Sequence, residues 1–131
     1  MSKKIILVAE DSGEILRLFS LLLSGQGYEV RRVSDGQAAL KVLAEEKPHL
    51  VILDGIMPLV DGFEVCRQIK NDPLTQRTPV ILLTVKKNPA DNAKGKEVGA
   101  DCYITKPFKS AQTIDAVQTF LQTEQRIWSI S

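Results

Sequence analysis

Residues 50–62, LVILDGIMPLVDG, contain the most informative pattern in the sequence. Leu50 to Leu53 are apolar and lead directly into Asp54, and turn-forming residues follow at once. A short, continuously apolar run is typical of a strand that is covered on both faces, as in a parallel sheet. Asp54 then lies at the carboxyl end of that strand, where open α/β sheets place their ligands. An alternative stays open at this point, in which Asp54 only caps the turn that follows.

Three other apolar runs also finish in chemically active residues. They are residues 5–9 before Glu10 and Asp11, residues 80–83 before Thr84, and residues 102–105 before Lys106. If the four runs form parallel strands, these groups meet at one end of the sheet. The sequence therefore predicts an acidic pocket that also contains one lysine and one hydroxyl group.

The segments between these runs have helical spacing or alternate. Residues 28–33 alternate and predict a half-exposed second strand. Helices are predicted after an N-cap at Ser12, over residues 38–43, from Asp61 and Gly62, over residues 90–98, and after Ser110. Strands and helices thus alternate five times without internal repeats, which indicates an α/β fold with a parallel sheet and helices on both sides. Right-handed crossovers leave few topologies for such a chain.

Composition excludes several classes of protein. The chain has 131 residues, 44% of them hydrophobic and 25% charged, which fits one globular domain. A net charge of +1 gives no reason to expect direct nucleic-acid binding. No apolar run approaches the roughly 20 residues of a membrane span, so membrane insertion is not expected. Cys66 and Cys102 form no Cys-x-x-Cys motif, and the N-terminus leads directly into a strand; both features favour a cytoplasmic protein without a signal peptide.

Taken together, the motifs resemble the receiver domain of two-component response regulators. The residues that carry the resemblance keep the family's order and spacing: Glu10-Asp11, Asp54, Met57-Pro58, Asp61-Gly62, Thr84 and Tyr103-Ile104-Thr105-Lys106-Pro107-Phe108. It covers a core of about residues 4–122 within a single domain, 1–131, and residues 123–131 are expected to extend the last helix or form a tail. The resemblance implies a flavodoxin-like, doubly wound, five-stranded parallel sheet of order 2-1-3-4-5 with five helices.

Three carboxylates at one end of a sheet repel each other, and a divalent cation with oxygen ligands compensates that repulsion. Magnesium suits a site that offers two or three protein oxygens. Glu10, Asp11 and Asp54 are therefore predicted metal ligands, and the resemblance adds the backbone carbonyl of Ile56. In the competing interpretation, Glu10 and Asp11 only cap the first helix beside Ser12.

Asp54 is the predicted phosphoacceptor, because a carboxylate can attack phosphorus and form an acyl phosphate. Lys106 supplies a positive charge and Thr84 a hydroxyl donor to the phosphoryl group. The resemblance gives Thr84 and Tyr103 a switching role, in which the tyrosine moves inward, although simple packing of Tyr103 is an open alternative. It also implies a cis bond between Lys106 and Pro107.

The resemblance implies that a sensor histidine kinase or a histidine phosphotransfer protein supplies the phosphoryl group. The face of the fourth helix, fifth strand and fifth helix would then bind an unidentified downstream protein. The chain is not expected to be an enzyme beyond its own phosphoryl transfer and slow self-dephosphorylation. Slow hydrolysis is predicted because apolar Ile56 and Val85 crowd the approach of water.

Two rival functions remain for comparison. A phosphatase of the dehalogenase type carries a second aspartate two residues after the first, and Ile56 at that place argues against it. A pseudo-receiver binds partners without accepting phosphate, and the complete set of Asp11, Asp54, Thr84 and Lys106 argues against that function. The sequence departs from the commonest family pattern at Glu10, Ile56 and Val85, and none of the three departures removes a catalytic group.

Overall fold

The computed structural model describes residues 3–57, 59–84, 89–105, 109–122 and 129–130. Within these ranges five strands alternate with five helices along the chain. The strands β1 to β5 are Ile5–Ala9, Glu29–Val33, Leu50–Asp54, Val80–Thr84 and Cys102–Thr105. The helices α1 to α5 are Gly13–Gly25, Gly36–Glu46, Gly62–Asn71, Pro89–Glu97 and Ser110–Gln122. Among the described helices, none is long and apolar enough to cross a membrane.

The five strands are parallel and lie in the order β2-β1-β3-β4-β5, which confirms the predicted fold. Strands β3 and β4 are buried along their whole length, as their continuously apolar sequences predict. The outer strand β2 is only half-buried, in agreement with its alternating sequence. All five strands run in the same direction, so their polar C-terminal residues gather at the carboxyl end of the sheet.

A sixth strand was not predicted. Ser129–Ile130 (β6) pairs in parallel with β5, with Ser129 opposite Tyr103 and Ile130 opposite Ile104. Residues 123–128 and 131 lie outside the described ranges, so the helical extension or tail expected over residues 123–131 stays a prediction. Without β6, the edge of β5 would present unpaired backbone donors and acceptors, and this short segment of the same chain covers part of that edge.

Alternating strand residues build two hydrophobic clusters, one on each face of the sheet. Helices α1 and α5 cover one face through Phe19, Leu23, Ala116, Val117 and Phe120. Helices α2 and α3 cover the other through Ala39, Leu43, Phe63, Val65, Cys66 and Ile69. The central strands are held between two apolar layers, which fixes the positions of their C-terminal residues.

Three helices begin at residues whose side chains cap them. Ser12 accepts a hydrogen bond from the amide of Ile15 at 3.4 Å, as predicted for the start of α1. Asp35 and Asp61 cap α2 and α3 in the same way. The second helix is longer than the predicted 38–43, because Asp35 is an N-cap that begins the helix at Gly36 rather than part of a separate turn.

At the amino end of the sheet, a nearly buried ion pair joins α3 to the start of β5. Lys70 Nζ lies 2.7 Å from Asp101 Oδ2. Lys70 also donates to the carbonyl of Thr78 at 2.7 Å, and the amide of Val80 donates to Asp101 at 2.9 Å. These bonds fix the loop that leads into β4.

Candidate functional site

The carboxyl ends of β1 and β3 bring three acidic side chains together. Glu10 and Asp11 follow β1 directly and Asp54 ends β3, and these two strands are neighbours in the sheet. One carboxylate oxygen from each residue lies within 4.8 Å of the others. Glu10 is buried, Asp54 is 5% exposed and Asp11 is exposed, so the cluster has a buried floor and an open side.

Glu10 takes part in both interpretations that the sequence left open. Its Oε2 accepts a hydrogen bond from the amide of Ser12 at 3.1 Å, next to the start of α1. The same side chain belongs to the acidic cluster with Asp11 and Asp54. A carboxylate has two oxygens and about four acceptor sites, so a contact with the helix start leaves capacity for a metal ion.

Asp54 likewise combines a turn contact with a place in the cluster. Its Oδ1 accepts a hydrogen bond from the amide of Ile56 at 3.1 Å, which orients the carboxylate and the start of the following loop. The backbone amide of Gly55 donates to the carbonyl of Leu83 in β4 at 2.9 Å. The acidic side chain is therefore supported by backbone bonds on both sides.

The acidic cluster suits a hard divalent cation. Two unit charges 4.8 Å apart repel by roughly 3 kcal/mol at an effective dielectric constant of 20. Opposite oxygen ligands of magnesium are about 4 Å apart, given bonds of 2.0–2.1 Å. Oxygens grouped within 4.8 Å can therefore reach one ion after small side-chain shifts or through water. Glu10, Asp11 and Asp54 thus fit a magnesium site by charge, donor type and spacing.

The predicted hydroxyl and aromatic residues lie on the neighbouring strands. Thr84 ends β4 beside β3, and its side chain is nearly buried at the same end of the sheet. Tyr103 is 1% exposed and belongs to the hydrophobic cluster on the α2–α3 face. The structure therefore holds Tyr103 in an inward position.

Thr105 is a site-adjacent residue to which sequence reasoning gave no role. It pairs with Thr84 in the register of β4 and β5, and its Oγ1 is buried without a hydrogen-bond partner in the described part of the chain. The sequence feature that could have identified Thr105 is a second hydroxyl-bearing residue at the end of a strand-like run. The register places Thr84 and Thr105 side by side at the carboxyl end of the sheet, with Thr84 on the strand next to Asp54.

Three predictions for the site fall on residues outside the described ranges. They concern Lys106 as the fixed positive charge, the cis bond to Pro107, and Val85 as a residue that crowds water. All three stay predictions.

The loop after Asp54 combines two exposed apolar side chains with an unusual backbone conformation. Ile56 is 70% exposed and Leu59 is 75% exposed, whereas Met57 between them is buried. Leu59 has a φ of 69°, in the left-handed region that residues with side chains seldom adopt. Sequence reasoning did not single out Leu59, because nothing in a leucine signals a left-handed backbone.

Comparison with known proteins places this geometry in a family. Residues 6–118 match the family described as response regulator receiver domain. The alkaline phosphatase synthesis transcriptional regulatory protein PhoP of Bacillus subtilis is 40% identical over 125 residues, which cover 95% of this chain and 51% of PhoP. Protein PilG of Pseudomonas aeruginosa is 35% identical over 126 residues, 96% of this chain and 93% of PilG. The chain spans about half the length of the first curated relatives it matches.

Solved structures show the same likeness. The receiver domain of a signal transduction histidine kinase from Syntrophus aciditrophicus has a TM-score of 0.88 and 36% identity, covering 98% of this chain and 97% of that one. The receiver domain of a sensor histidine kinase from Pseudomonas aeruginosa has a TM-score of 0.86 and 26% identity, covering 93% and 100%; its structure has a magnesium ion coordinated in the active-site cleft. With its fold, its acidic cluster and a family match over most of its length, this chain belongs to the receiver domains of two-component response regulators.

Proposed function

We propose that Asp54 accepts a phosphoryl group from a phosphohistidine of a partner protein in a magnesium-dependent reaction. The observation that carries this proposal is the convergence of Glu10, Asp11 and Asp54 within 4.8 Å at the carboxyl end of the sheet. A single aspartate at a strand end can serve as a turn cap. Three clustered carboxylates repel each other unless a cation compensates, and two of them, Glu10 and Asp54, are already oriented by bonds from backbone amides.

The transfer forms one bond and breaks another. An oxygen of Asp54 attacks phosphorus and the phosphorus–nitrogen bond of the donor breaks, so that the imidazole leaves with the electron pair. With a proton on the other ring nitrogen of the donor, the products are an acyl phosphate on Asp54 and a neutral histidine on the partner. The hydrogen bond from the amide of Ile56 orients the attacking carboxylate, and positioning of this kind lowers the barrier.

Glu10, Asp11, Asp54 and the backbone carbonyl of Ile56 would hold the magnesium ion. When bound, the ion offsets the carboxylate charge and the charge of the phosphoryl oxygens. Thr84 lies on the strand next to Asp54 and donates its hydroxyl to a phosphoryl oxygen. Lys106 is proposed to supply a positive charge to the phosphoryl group.

Phosphorylation is proposed to act through Thr84 and Tyr103 on the face of α4, β5 and α5. Tyr103 lies on β5, and its buried side chain adjoins the core rather than solvent. A change at Thr84 is passed to β5 through the pairing of Thr84 with Thr105. That face then binds a downstream protein.

The proposed partners are a sensor histidine kinase or histidine phosphotransfer protein and one downstream protein, without direct nucleic-acid contact by this domain. Catalysis is proposed to be limited to its own phosphorylation and slow dephosphorylation. A cytoplasmic location is consistent with Cys66 and Cys102, which are buried free thiols.

A small phosphodonor tests the proposal without the natural kinase. The original protein, Asp54→Asn and the control Asp72→Asn are incubated with acetyl phosphate, with magnesium or with a chelator, and intact masses are measured. Asp72 is an exposed carboxylate that caps a turn through Leu74. The original protein and Asp72→Asn should gain one phosphoryl group with magnesium, whereas Asp54→Asn and all chelated samples should gain none. A protein that binds magnesium but never gains mass would be a pseudo-receiver.

A further inference from the structure

Two Asp-Gly pairs flank the loop that connects Asp54 to α3. Asp35 and Gly36 begin α2, and Asp61 and Gly62 begin α3. Each aspartate caps its helix, with bonds of 2.7 Å from the amide of Ala38 and 2.9 Å from the amide of Glu64. The repeated pair thus marks two helix starts that face the same loop.

Each glycine lies against the backbone at one end of that loop. A Cβ atom at Gly62 would overlap the carbonyl oxygen of Asp54, and one at Gly36 would overlap the carbonyl oxygen of Val60. Non-bonded heavy atoms prefer separations of about 3.5 Å, so neither position has room for a side chain. Backbone-to-backbone contact therefore fixes both the beginning and the end of the loop.

The left-handed residue lies next to one of these contacts. Leu59 directly precedes Val60 and has a φ of 69°, although its exposed side chain packs against little. Such a conformation persists only where the surrounding structure imposes it. The contact of Val60 with Gly36 supplies that constraint, because it sets where the chain must be one residue after Leu59.

We infer that Gly36 is a positioning residue for the metal site. It offers no ligand itself; by holding Val60 against the start of α2, it sets the path of the loop that contains the Ile56 carbonyl. The amide of Ile56 already bonds to Asp54 at the other end of this path. The inference rests on the proposed function, since it assumes that Ile56 and Asp54 bind magnesium.

The test compares Gly36→Ala with Gly25→Ala, using magnesium alone as the ligand. Gly25 ends α1 and has nothing within 4 Å of an added Cβ, so it is a matched control. Calorimetric titration of folded protein should show a magnesium dissociation constant about tenfold higher for Gly36→Ala, in the range seen when supporting residues of metal sites change. Gly25→Ala should bind like the original protein. Labelling of Gly36→Ala by acetyl phosphate should recover at saturating magnesium.

Leu59→Gly is a second variant that introduces no clash. It relieves the left-handed backbone, so its melting temperature should not fall, yet the looser loop should bind magnesium several-fold more weakly. Magnesium affinity would then fall while the melting temperature does not. A loss of packing alone would instead lower the melting temperature. Leu59→Gly also decides the matter if Gly36→Ala fails to fold.

The outcomes separate the inference from the proposed function. If the original protein does not bind magnesium, both are wrong. If it does bind magnesium, unchanged affinity in folded Gly36→Ala, or in Leu59→Gly where Gly36→Ala cannot be folded, overturns the inference alone. In that case Gly36 serves only the packing of α2.

Discussion

The two ends of the sheet hold their buried carboxylates in different surroundings. At the amino end, Asp101 pairs with Lys70 and accepts a bond from the amide of Val80, so one negative charge meets one positive charge. At the carboxyl end, Glu10, Asp11 and Asp54 bring three negative charges into one cluster. A single lysine, such as the predicted Lys106, cannot neutralise three carboxylates.

This difference separates a structural charge from a functional one. Lys70 forms an ion pair with Asp101 and donates hydrogen bonds to the carbonyls of Gln76 and Thr78. Its charge is therefore neutralised by contacts that join α3 to the segment before β4. The carboxyl end instead concentrates charge of one sign beside an open side. In the proposed function, a magnesium ion and a phosphoryl group from outside would complete it. Changes at the amino end should therefore alter stability, and changes at the carboxyl end should alter binding and chemistry.

The largest expected effect is at the amino end. Lys70→Met leaves Asp101 nearly buried without its cation, and breaking such a pair costs about 3 kcal/mol of unfolding free energy. Urea unfolding measures this loss, with exposed Lys41→Met as the control, expected within about 0.5 kcal/mol of the original protein. Magnesium affinity should stay unchanged in both variants. A loss of magnesium binding in Lys70→Met would remove the distinction between the two ends.

The next effect concerns the lifetime of the phosphoryl group at the carboxyl end. Ile56 is 70% exposed and has no polar group to orient a water molecule. Ile56→Asn should supply one and speed dephosphorylation about tenfold, which corresponds to roughly 1.4 kcal/mol of barrier. The decay of phosphorylated protein after donor removal measures the rate. Val85→Ala should also speed the decay.

Leu74→Asn is the matched control for Ile56→Asn. Leu74 is 76% exposed, as Ile56 is, but it lies in the loop between α3 and β4. Its substitution should leave the decay rate unchanged. If Ile56→Asn decays no faster than this control, water access at Ile56 does not limit the lifetime.

A smaller effect tests the burial of Cys66 near the amino-end ion pair. Burial is the main cause that raises the pKa of the Cys66 thiol from 9.0 to about 12, with a smaller contribution from Asp101. The unfolded thiol therefore ionises at lower pH than the folded one, and stability falls as pH rises from 9.0 towards 12. At pH 10 the loss from this thiol is about 1.4 kcal/mol. Burial also raises the pKa of the Cys102 thiol to about 12, so Cys66→Ala should keep the Cys102 loss. Urea unfolding at pH 8 and pH 10 should therefore show a smaller loss in Cys66→Ala than in the original protein; equal losses would mean that Cys66 does not contribute.

The fold was predictable because its central strands have a distinctive sequence pattern. The runs at residues 50–53 and 80–83 are apolar without interruption, and only a strand covered on both faces combines that pattern with such a short length. The strand order came from the family resemblance, since periodicity does not say which strands are neighbours. β6 was not predictable, because a two-residue strand has no pattern of its own and depends on the open edge of β5.

The residue types of the candidate site could be predicted from the sequence, but the backbone contacts around it could not. Glu10, Asp11 and Asp54 lie at the ends of strand-like runs, so their convergence required that the strands be parallel and that the first and third be neighbours. The left-handed backbone of Leu59 and the contact between Gly36 and Val60 were not predictable. They arise where two separate helix starts meet one loop, which is a tertiary relation that local sequence does not record.

The most direct test of the central claim, that the carboxyl end is built for a cation at Asp54, is thermal unfolding of the original protein and Asp54→Asn with magnesium and with chelator. Without metal, Asp54→Asn should melt higher, because one charge leaves a repelling cluster. Magnesium at about ten times its dissociation constant should stabilise the original protein by about 1.4 kcal/mol, or roughly 5 °C, and Asp54→Asn by clearly less. Asp101→Asn, from the opposite end, should keep the full magnesium shift. Equal shifts in the original protein and Asp54→Asn, or no shift in the original protein, would contradict the account.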